Sequence, residues 1–518
     1  MPKGELALVL HAHLPYVKSA ETGSLEEDWF FQALLECYLP ILERLEDSYE
    51  SNIQQPKITI GLSPTLLSLL EDKDLKKRFP SWLKSRIQLL GEVKNQLQDP
   101  ANHLIKNISH QLINWENCNG DIISRFGKLQ QKGVVDLLTC AATHGYLPLL
   151  REHPQAVIGQ LKTAIREHCR LFNTKPLGIW LPECAYYEGL DSLMMKAGLK
   201  YAVLDGHGLL NASPRPRFGL YAPICTKNGV AFFGRDSEST LPVWSAREGY
   251  PGNSVYREFH RDLGWDIPIE KLKKLGIRKP RPLGLKLYKV TSQNLSLEKK
   301  DIYEPELAAL KIKEHAQDYL KKRKEQLNRI SNIMGQDPLL IAPFDAELFG
   351  HWWFEGPDFL AELFKQAIKM GIKFTTLKEV LKKQQKLQLC EPSPSSWGQG
   401  GYHNYWLNEN NAWIVPEWNK ASKAMIEVSN FDLPNKLQVR ILKQAARELL
   451  LSQSSDWSFI LRAGTTTKLA KDRFNLHLKR FWKLINSIKE DSYKSKKLLD
   501  KFEKEDALFP EVDAKDWK

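Results

Sequence analysis

Two strings far apart in the chain set carboxylates among apolar and aromatic side chains: Trp180-Leu181-Pro182-Glu183-Cys184, and Ala342-Pro343-Phe344-Asp345-Ala346-Glu347-Leu348-Phe349-Gly350-His351-Trp352-Trp353. A carboxylate so placed loses much of its hydration, so its neighbours set its pKa and its hydrogen bonds. Two of them, with indole faces nearby, supply what glycosidic-bond chemistry needs: an ionised nucleophile, a proton donor and flat surfaces for pyranose rings. Glu183 follows the strand-like Ile179 to Pro182 and suits the nucleophile; the plainer role is a cap on the helix expected near Glu188. Asp345 ends another strand before an aromatic run, where apolar surroundings raise a carboxyl pKa and suit a general acid. Its plainer role is to cap the following turn. Glu347 competes for the acid role or hydrogen-bonds nearby groups.

His11 and His13 form a strand-end H-x-H. That pattern opens the metal site of amidohydrolase-type barrels, where His144, His207 and Asp345 would complete the ligand set. Such a site leaves Glu183 and the tryptophans idle. The sugar reading instead uses His11, His13 and His144 as hydroxyl-binding donors around one glucosyl unit. Trp29, Trp265, Trp397, Trp406 and Trp413 are possible stacking platforms, although a single tryptophan is as often core. The segment from Trp397 to Trp406 has glycines that deny it regular helix and polar side chains between its indoles, as a glucan-binding loop would.

These residues need a scaffold. Over the first two hundred residues, apolar runs (Leu6 to Leu10, Lys57 to Gly61, Val134 to Thr139, Leu177 to Leu181, Tyr201 to Leu204) alternate with amphipathic stretches such as Trp29 to Tyr49 and Gln155 to Phe172. The alternation predicts a parallel α/β sheet, barrel or doubly wound. Polar residues recur just after the strands: His11, His13, Ser63, His144, Glu183, Asp205 and His207. In a barrel these share one rim. No G-x-G-x-x-G follows a strand, which weakens a dinucleotide-binding alternative. The alternation fails between 214 and 304, predicting an inserted subdomain over the rim. A helix from Glu304 to about Met334 and a strand from Leu339 to Pro343 restore it. Lys383 to Ser396 reads as a linker, and beyond Val415 the pattern is purely helical. The predicted division is therefore a catalytic barrel over 1–213 and 305–390, an insertion over 214–304, and a tryptophan loop with a helical domain over 391–518.

Bulk composition narrows the classes. At 518 residues, 42% hydrophobic and 26% charged, the chain is globular, and its 15 tryptophans are generous. The net charge of +12 would suit a polyanion, yet the excess sits in helical or linker-like runs without any nucleic-acid motif. Nucleic acid is not the expected partner. Seven cysteines lack any C-x-x-C pair, fitting free thiols in a reducing cytoplasm. No apolar run approaches membrane-spanning length or a signal peptide's core, so no membrane association is expected.

The strings together resemble glycoside hydrolase family 57, and within it the subgroup of 1,4-α-glucan branching enzymes. Leu8-Val9-Leu10-His11-Ala12-His13-Leu14-Pro15 is similar to the family's first motif, and Ala141-Ala142-Thr143-His144-Gly145-Tyr146 to its second. Trp180 to Glu183 resembles the nucleophile motif and Phe344 to Trp353 the general-acid motif. The tryptophan loop and Gln453-Ser454-Ser455-Asp456-Trp457 resemble the subgroup's C-terminal part, which adds Trp353 and Asp456 to the expected sugar contacts. The resemblance implies a distorted (β/α)7 barrel with an inserted subdomain and a C-terminal all-helical domain. It implies an α-glucan substrate, no cofactor and no metal. It also implies a retaining mechanism, with Glu183 as nucleophile, Asp345 as acid/base, and their carboxyls about 5–5.5 Å apart. An α-amylase or 4-α-glucanotransferase on the same scaffold is the alternative, and a glucan-binding protein without turnover a remoter one. The chain departs from the family at Asp136, where glutamate is usual, and in Val230 to Trp244, which lacks the tyrosine carried by branching members on a loop over the site; Tyr250 and Tyr256 follow just beyond.

Overall fold

The computed structural model describes residues 3–19, 23–51, 56–93, 97–384, 386–431, 435–488 and 493–518. The apolar runs become strands β1 (Glu5–Ala12), β2 (Ile58–Leu62), β3 (Val135–Cys140), β4 (Gly178–Trp180), β5 (Tyr201–Leu204), β6 (Ile224–Cys225), β7 (Ala231–Gly234), β8 (Leu339–Asp345) and β9 (Gln388–Leu389). Their hydrogen-bonded order is β8-β1-β2-β3-β4-β5-β7-β6-β9. Pairing is parallel for β1 with β8, β3 with β4, β4 with β5 and β5 with β7, while β6 runs antiparallel to β7. Nearly every residue of β1, β2 and β3 is buried, as expected of strands covered on both faces. This sheet, distorted and mixed at one end, with helices in its crossovers and an all-helical C-terminal part, is the predicted fold class.

Three strands escape the sequence pattern. β6 and β7 lie inside the stretch expected as an insertion, and their pairing makes residues 224–234 part of the sheet. β9 lies in the expected linker and pairs with β6. β6 and β9, two residues each, are too short for a period-2 signal to develop.

The chain forms two compact units. The first comprises Met1–Ile60, Leu69–Asp136 and Asp236–Lys383. Its register sets His11 opposite Asp345. The helix expected over Trp29 to Tyr49 runs from Leu25 to Glu50 but is interrupted by a π-helical turn at Leu34–Tyr38. Such a turn rotates the following side chains out of the α-helical sequence of faces and is common at functional sites. Gly350, at φ 115°, crosses it so closely that an added Cβ would lie 1.7 Å from the Glu36 carbonyl. Only glycine permits both that backbone and that approach. The helix Pro305–Met334 appears as expected and packs on Gly356–Met370.

The second unit comprises Gly61–Ser68, Leu137–Arg235 and Gln384–Lys518. Its C-terminal helices Lys436–Ser452 and Thr467–Ser487 pack together through their apolar faces. The chain's end returns to the helix Pro154–Phe172, where the Trp517 indole lies over Gly159 and Arg166 donates to Asp516 at 2.8 Å.

Candidate active site

In the second unit, Pro182–Cys184 forms a single 3-10 turn directly after β4, and the non-glycine Glu183 and Cys184 both take positive φ, 62° and 50°. His144, in the loop after β3, does the same at 56°. Left-handed backbone at such residues is sparsely populated and persists only where surrounding contacts over-determine it. Here those contacts converge on Glu183. Trp397 donates its indole N–H to Glu183 Oε2 at 2.7 Å and its backbone N–H to the Glu183 carbonyl at 3.0 Å. His144 Nδ1 lies 3.9 Å from Glu183 Oε1 and 2.8 Å from the Ser455 hydroxyl. The carboxylate is left 16% exposed, so it is oriented but still reachable.

A further ring fixes Trp397. Its indole meets buried Trp180 edge-on at 5.0 Å, and the Arg235 guanidinium sits 5.8 Å from its ring centre. Arg235 faces Asp205 at 3.4 Å, and both ring nitrogens of His207 face acceptors, Asp205 Oδ1 at 3.0 Å and the Gly401 carbonyl at 2.8 Å. His207, a potential metal ligand in the sequence, is thus committed to holding the tryptophan loop. Asp456, at the start of the helix Ser455–Ala463, is half-buried and accepts from the Ser454 hydroxyl.

In the first unit, Asp345 closes β8 in ordinary extended backbone, φ −66° and ψ 133°. His11 and His13 stack beside one another, ring centres 5.8 Å apart, His11 being 2% exposed. Glu347 accepts from the His13 backbone N–H at 3.0 Å and from the Tyr38 hydroxyl at 2.5 Å, and Cys37 donates to the Ala346 carbonyl at 3.0 Å. Burial pushes the Glu347 carboxyl up, but its partners commit it to tethering the Asp345 segment to the π-helical turn. Glu36 on the same turn is deeply buried. Desolvation alone would raise its pKa, yet Lys286, Arg257 and a 2.6 Å bond with His351 outweigh this and hold it at about 2.

The expected stacking residues separate by burial. Trp265 and Trp413 are 55% and 40% exposed, while Trp29 and Trp397 are half-buried. Trp406 and Trp353 are corrections to the expectation of open sugar platforms. Trp406, 2% exposed, stacks on Tyr146 at 4.6 Å, and Trp353, 1% exposed, packs between Tyr256 and Phe359. The exposed indole of that pair is Trp352, at 56%, beside Phe259. Adjacent tryptophans look alike in sequence, and only the turn that follows Glu347 decides which one points outward. Asp136, the departure noted above, sits near the start of β3, away from the strand's His144 end, and accepts from the Lys378 backbone at 3.2 Å. Tyr250 and Tyr256, in the irregular segment after the helix Ser237–Trp244, are buried and bonded to Asp318 and His315 respectively. Sequence reasoning missed Glu36, Tyr38, Ser455 and Arg235. The first two left one trace, an acidic residue inside an otherwise apolar helical run.

Residues 7–391 match the model of glycosyl hydrolase family 57, and residues 417–517 match the C-terminal region model of 1,4-alpha-glucan branching enzymes. The chain belongs to glycoside hydrolase family 57. Both Glu183 and Asp345 lie within the span matched by the family-57 model. A 1,4-alpha-glucan branching enzyme of Thermococcus kodakarensis is 31% identical over 94% of this chain and 74% of its own length. Among solved family structures, the branching enzyme of Pyrococcus horikoshii superposes with a TM-score of 0.90 at 31% identity, covering 99% of this chain and 97% of that one. The α-amylase AmyC of Thermotoga maritima superposes with a TM-score of 0.92 at 34% identity, covering 99% of each chain. No helix among the described residues is long and apolar enough to cross a membrane.

Proposed function

We propose that this protein is a 1,4-α-glucan branching enzyme, a retaining transglycosylase that cleaves an α-1,4 link and closes an α-1,6 link. The observation that carries the reading is the fixed Glu183 carboxylate, held by the Trp397 indole on a strained turn yet open on one side. A nucleophile must be ionised and placed without slack, and a charge-assisted N–H bond supplies both. In the first step Glu183 attacks the anomeric carbon while Asp345 protonates the departing 4-oxygen, leaving a covalent glucosyl-enzyme. In the second, Asp345 removes the proton from the 6-hydroxyl of an acceptor chain, whose oxygen displaces Glu183. His11, His13, His144 and Asp456 offer polar atoms to the sugar hydroxyls, and Trp265 and Trp413 offer open indole faces.

The match of residues 417–517 to the branching-enzyme C-terminal region supports transfer over hydrolysis. Seven free cysteines support work in the reducing cytoplasm. The test is an assay of purified protein on amylose, counting new reducing ends before and after an α-1,6-specific debranching enzyme. A branching enzyme gives ends mainly after debranching. Ends mainly before debranching would identify an α-amylase, the activity named for the Thermotoga relative, and would overturn the reading.

A further inference from the structure

The segment that follows Asp345 is pinned at several points, yet it carries one large ring left mostly uncovered. Its own backbone closes it: the Trp352 N–H donates to the Glu347 carbonyl at 3.1 Å, the Trp353 N–H to Leu348 at 2.9 Å, and the Gly350 N–H to Trp353 at 2.7 Å. The π-helical turn holds it from outside. Cys37 donates to the Ala346 carbonyl, Tyr38 to the Glu347 carboxylate, and His351 Nδ1 meets Glu36 at 2.6 Å. Arg257 fixes Glu36 in turn, at 3.1 Å. Within this frame Trp353 is core, while Trp352 is 56% exposed. Phe259 lies 6.5 Å from the Trp352 ring, inclined by 56°, and does not stack on it.

A lone exposed apolar side chain needs no explanation. Trp352 differs in its support and in its place. Its backbone is fixed on both sides, so little freedom remains to be lost when a ligand lies against the indole. From Asp345 to Glu347 the chain spans at most ~7 Å, and the Glu347 carbonyl is bonded to the Trp352 N–H, so the indole is rooted beside the acid/base. The chemistry of Asp345 then says which chain meets that ring. One carboxyl protonates the departing 4-oxygen and later takes the proton from the incoming 6-hydroxyl. Both oxygens therefore pass through one position next to Asp345, and the chains that carry them leave and arrive along its side. Water, the rival acceptor, gains nothing from an indole face, whereas a pyranose ring does.

We propose that Trp352 is a platform for the acceptor glucan and so sets the balance between transfer and hydrolysis. The assignment rests on the branching function proposed above. With a chain held against Trp352, its 6-hydroxyl gives a proton to Asp345, its oxygen bonds to the anomeric carbon, and the bond from that carbon to Glu183 breaks. Without that hold, water undergoes the same exchange and the glucosyl unit is released.

The test is the ratio of hydrolysis to branching on amylose for the full-length wild type, Trp352→Ala and Trp352→Phe. Reducing ends formed before debranching report hydrolysis, and those released by an α-1,6-specific debranching enzyme report branching. Formation of the glucosyl-enzyme is common to both outcomes and cancels in the ratio. The ratio is expected to rise about tenfold in Trp352→Ala and to return to within about threefold of wild type in Trp352→Phe, which keeps a ring. Melting temperatures should be unchanged, because the side chain is largely exposed. An unchanged ratio in Trp352→Ala overturns the assignment. So does an equal shift in both variants with a lowered melting temperature, which would make the ring a structural support. A wild type that forms no α-1,6 links would overturn the branching reading and this assignment together; wild-type branching that Trp352→Ala leaves unaltered overturns this assignment alone.

Discussion

Glu183 and Asp345 sit at the ends of strands in two different units, and their settings have little else in common. Glu183 occupies a left-handed turn, shares that conformation with His144 and Cys184, and has its carboxylate gripped by an indole N–H. Asp345 lies in plain extended backbone at the end of a long strand, and the neighbouring Glu347 is tied to the His13 backbone and the Tyr38 hydroxyl. A group that forms a bond to carbon needs its oxygen fixed in place, so strain and a dedicated donor are worth their cost there. A group that passes a proton back and forth needs position above all, and a regular strand with an anchored neighbour provides that.

The strongest way to break this contrast is to remove each carboxylate's charge. Glu183→Gln is expected to lower branching on amylose by more than ~10⁴-fold with a nearly unchanged melting curve. Asp345→Asn is expected to be comparably slow on amylose, but with an α-maltosyl fluoride donor, whose leaving group needs no proton, added azide should restore transfer, giving a glycosyl azide of retained configuration. An azide product of retained configuration from the Glu183 variant instead would reverse the two assignments.

Trp397→Phe sharpens the comparison by keeping an aromatic face and deleting the indole N–H. Losing a hydrogen bond to a charged group costs about 1.5–3 kcal/mol, so kcat should fall roughly 10–150-fold. An unaltered kcat with raised KM would make Trp397 a sugar contact only.

The support of Asp345 is tested by pH. Glu36 has its folded-state pKa held at about 2, against an ordinary 4.5, by Lys286, Arg257 and His351 in opposition to its burial. A depressed carboxyl pKa stabilises the fold above the unfolded-state value, and that stability is lost as pH falls from 4.5 towards 2. At about 1.36 kcal/mol per unit the loss is about 3 kcal/mol. Denaturant melts of Glu36→Gln should lack this acid-side decline; an identical pH profile would show that other groups dominate it.

The smallest effect is expected from Tyr38→Phe, which takes one of two donors from Glu347. Stability should fall by about 1–2 kcal/mol, with kcat changed less than Trp397→Phe changes it. A larger kcat loss than in Trp397→Phe would make the tether catalytically more important than the grip on the nucleophile.

Much of this was legible in the chain. The β-branched and leucine runs marked the long strands because strands buried on both faces must be apolar throughout. The amphipathic repeats gave Pro305–Met334 to within a residue and the helical character of the chain beyond Val415. Glu183 and Asp345 stood out because carboxylates rarely lie among so many apolar neighbours without cause. The tryptophans were less readable. Composition says that indoles are plentiful, but Trp397 as a donor, Trp406 as a stacked core ring and the reversal of Trp352 and Trp353 depend on partners or turns that no local pattern records.

By itself the sequence determined which residues can do chemistry, which segments must be buried strands or helices, and, through the order of its motifs, the family. Those properties follow from side-chain chemistry and from periodicities of two and 3.6 residues, both of which are local. Tertiary structure alone decided how the carboxylates are held. The Trp397–Glu183 bond joins residues 214 positions apart, and the Tyr38–Glu347 bond joins residues 309 apart. A hydrogen bond is set by a few tenths of an ångström between atoms, and such distances exist only once the chain has closed on itself.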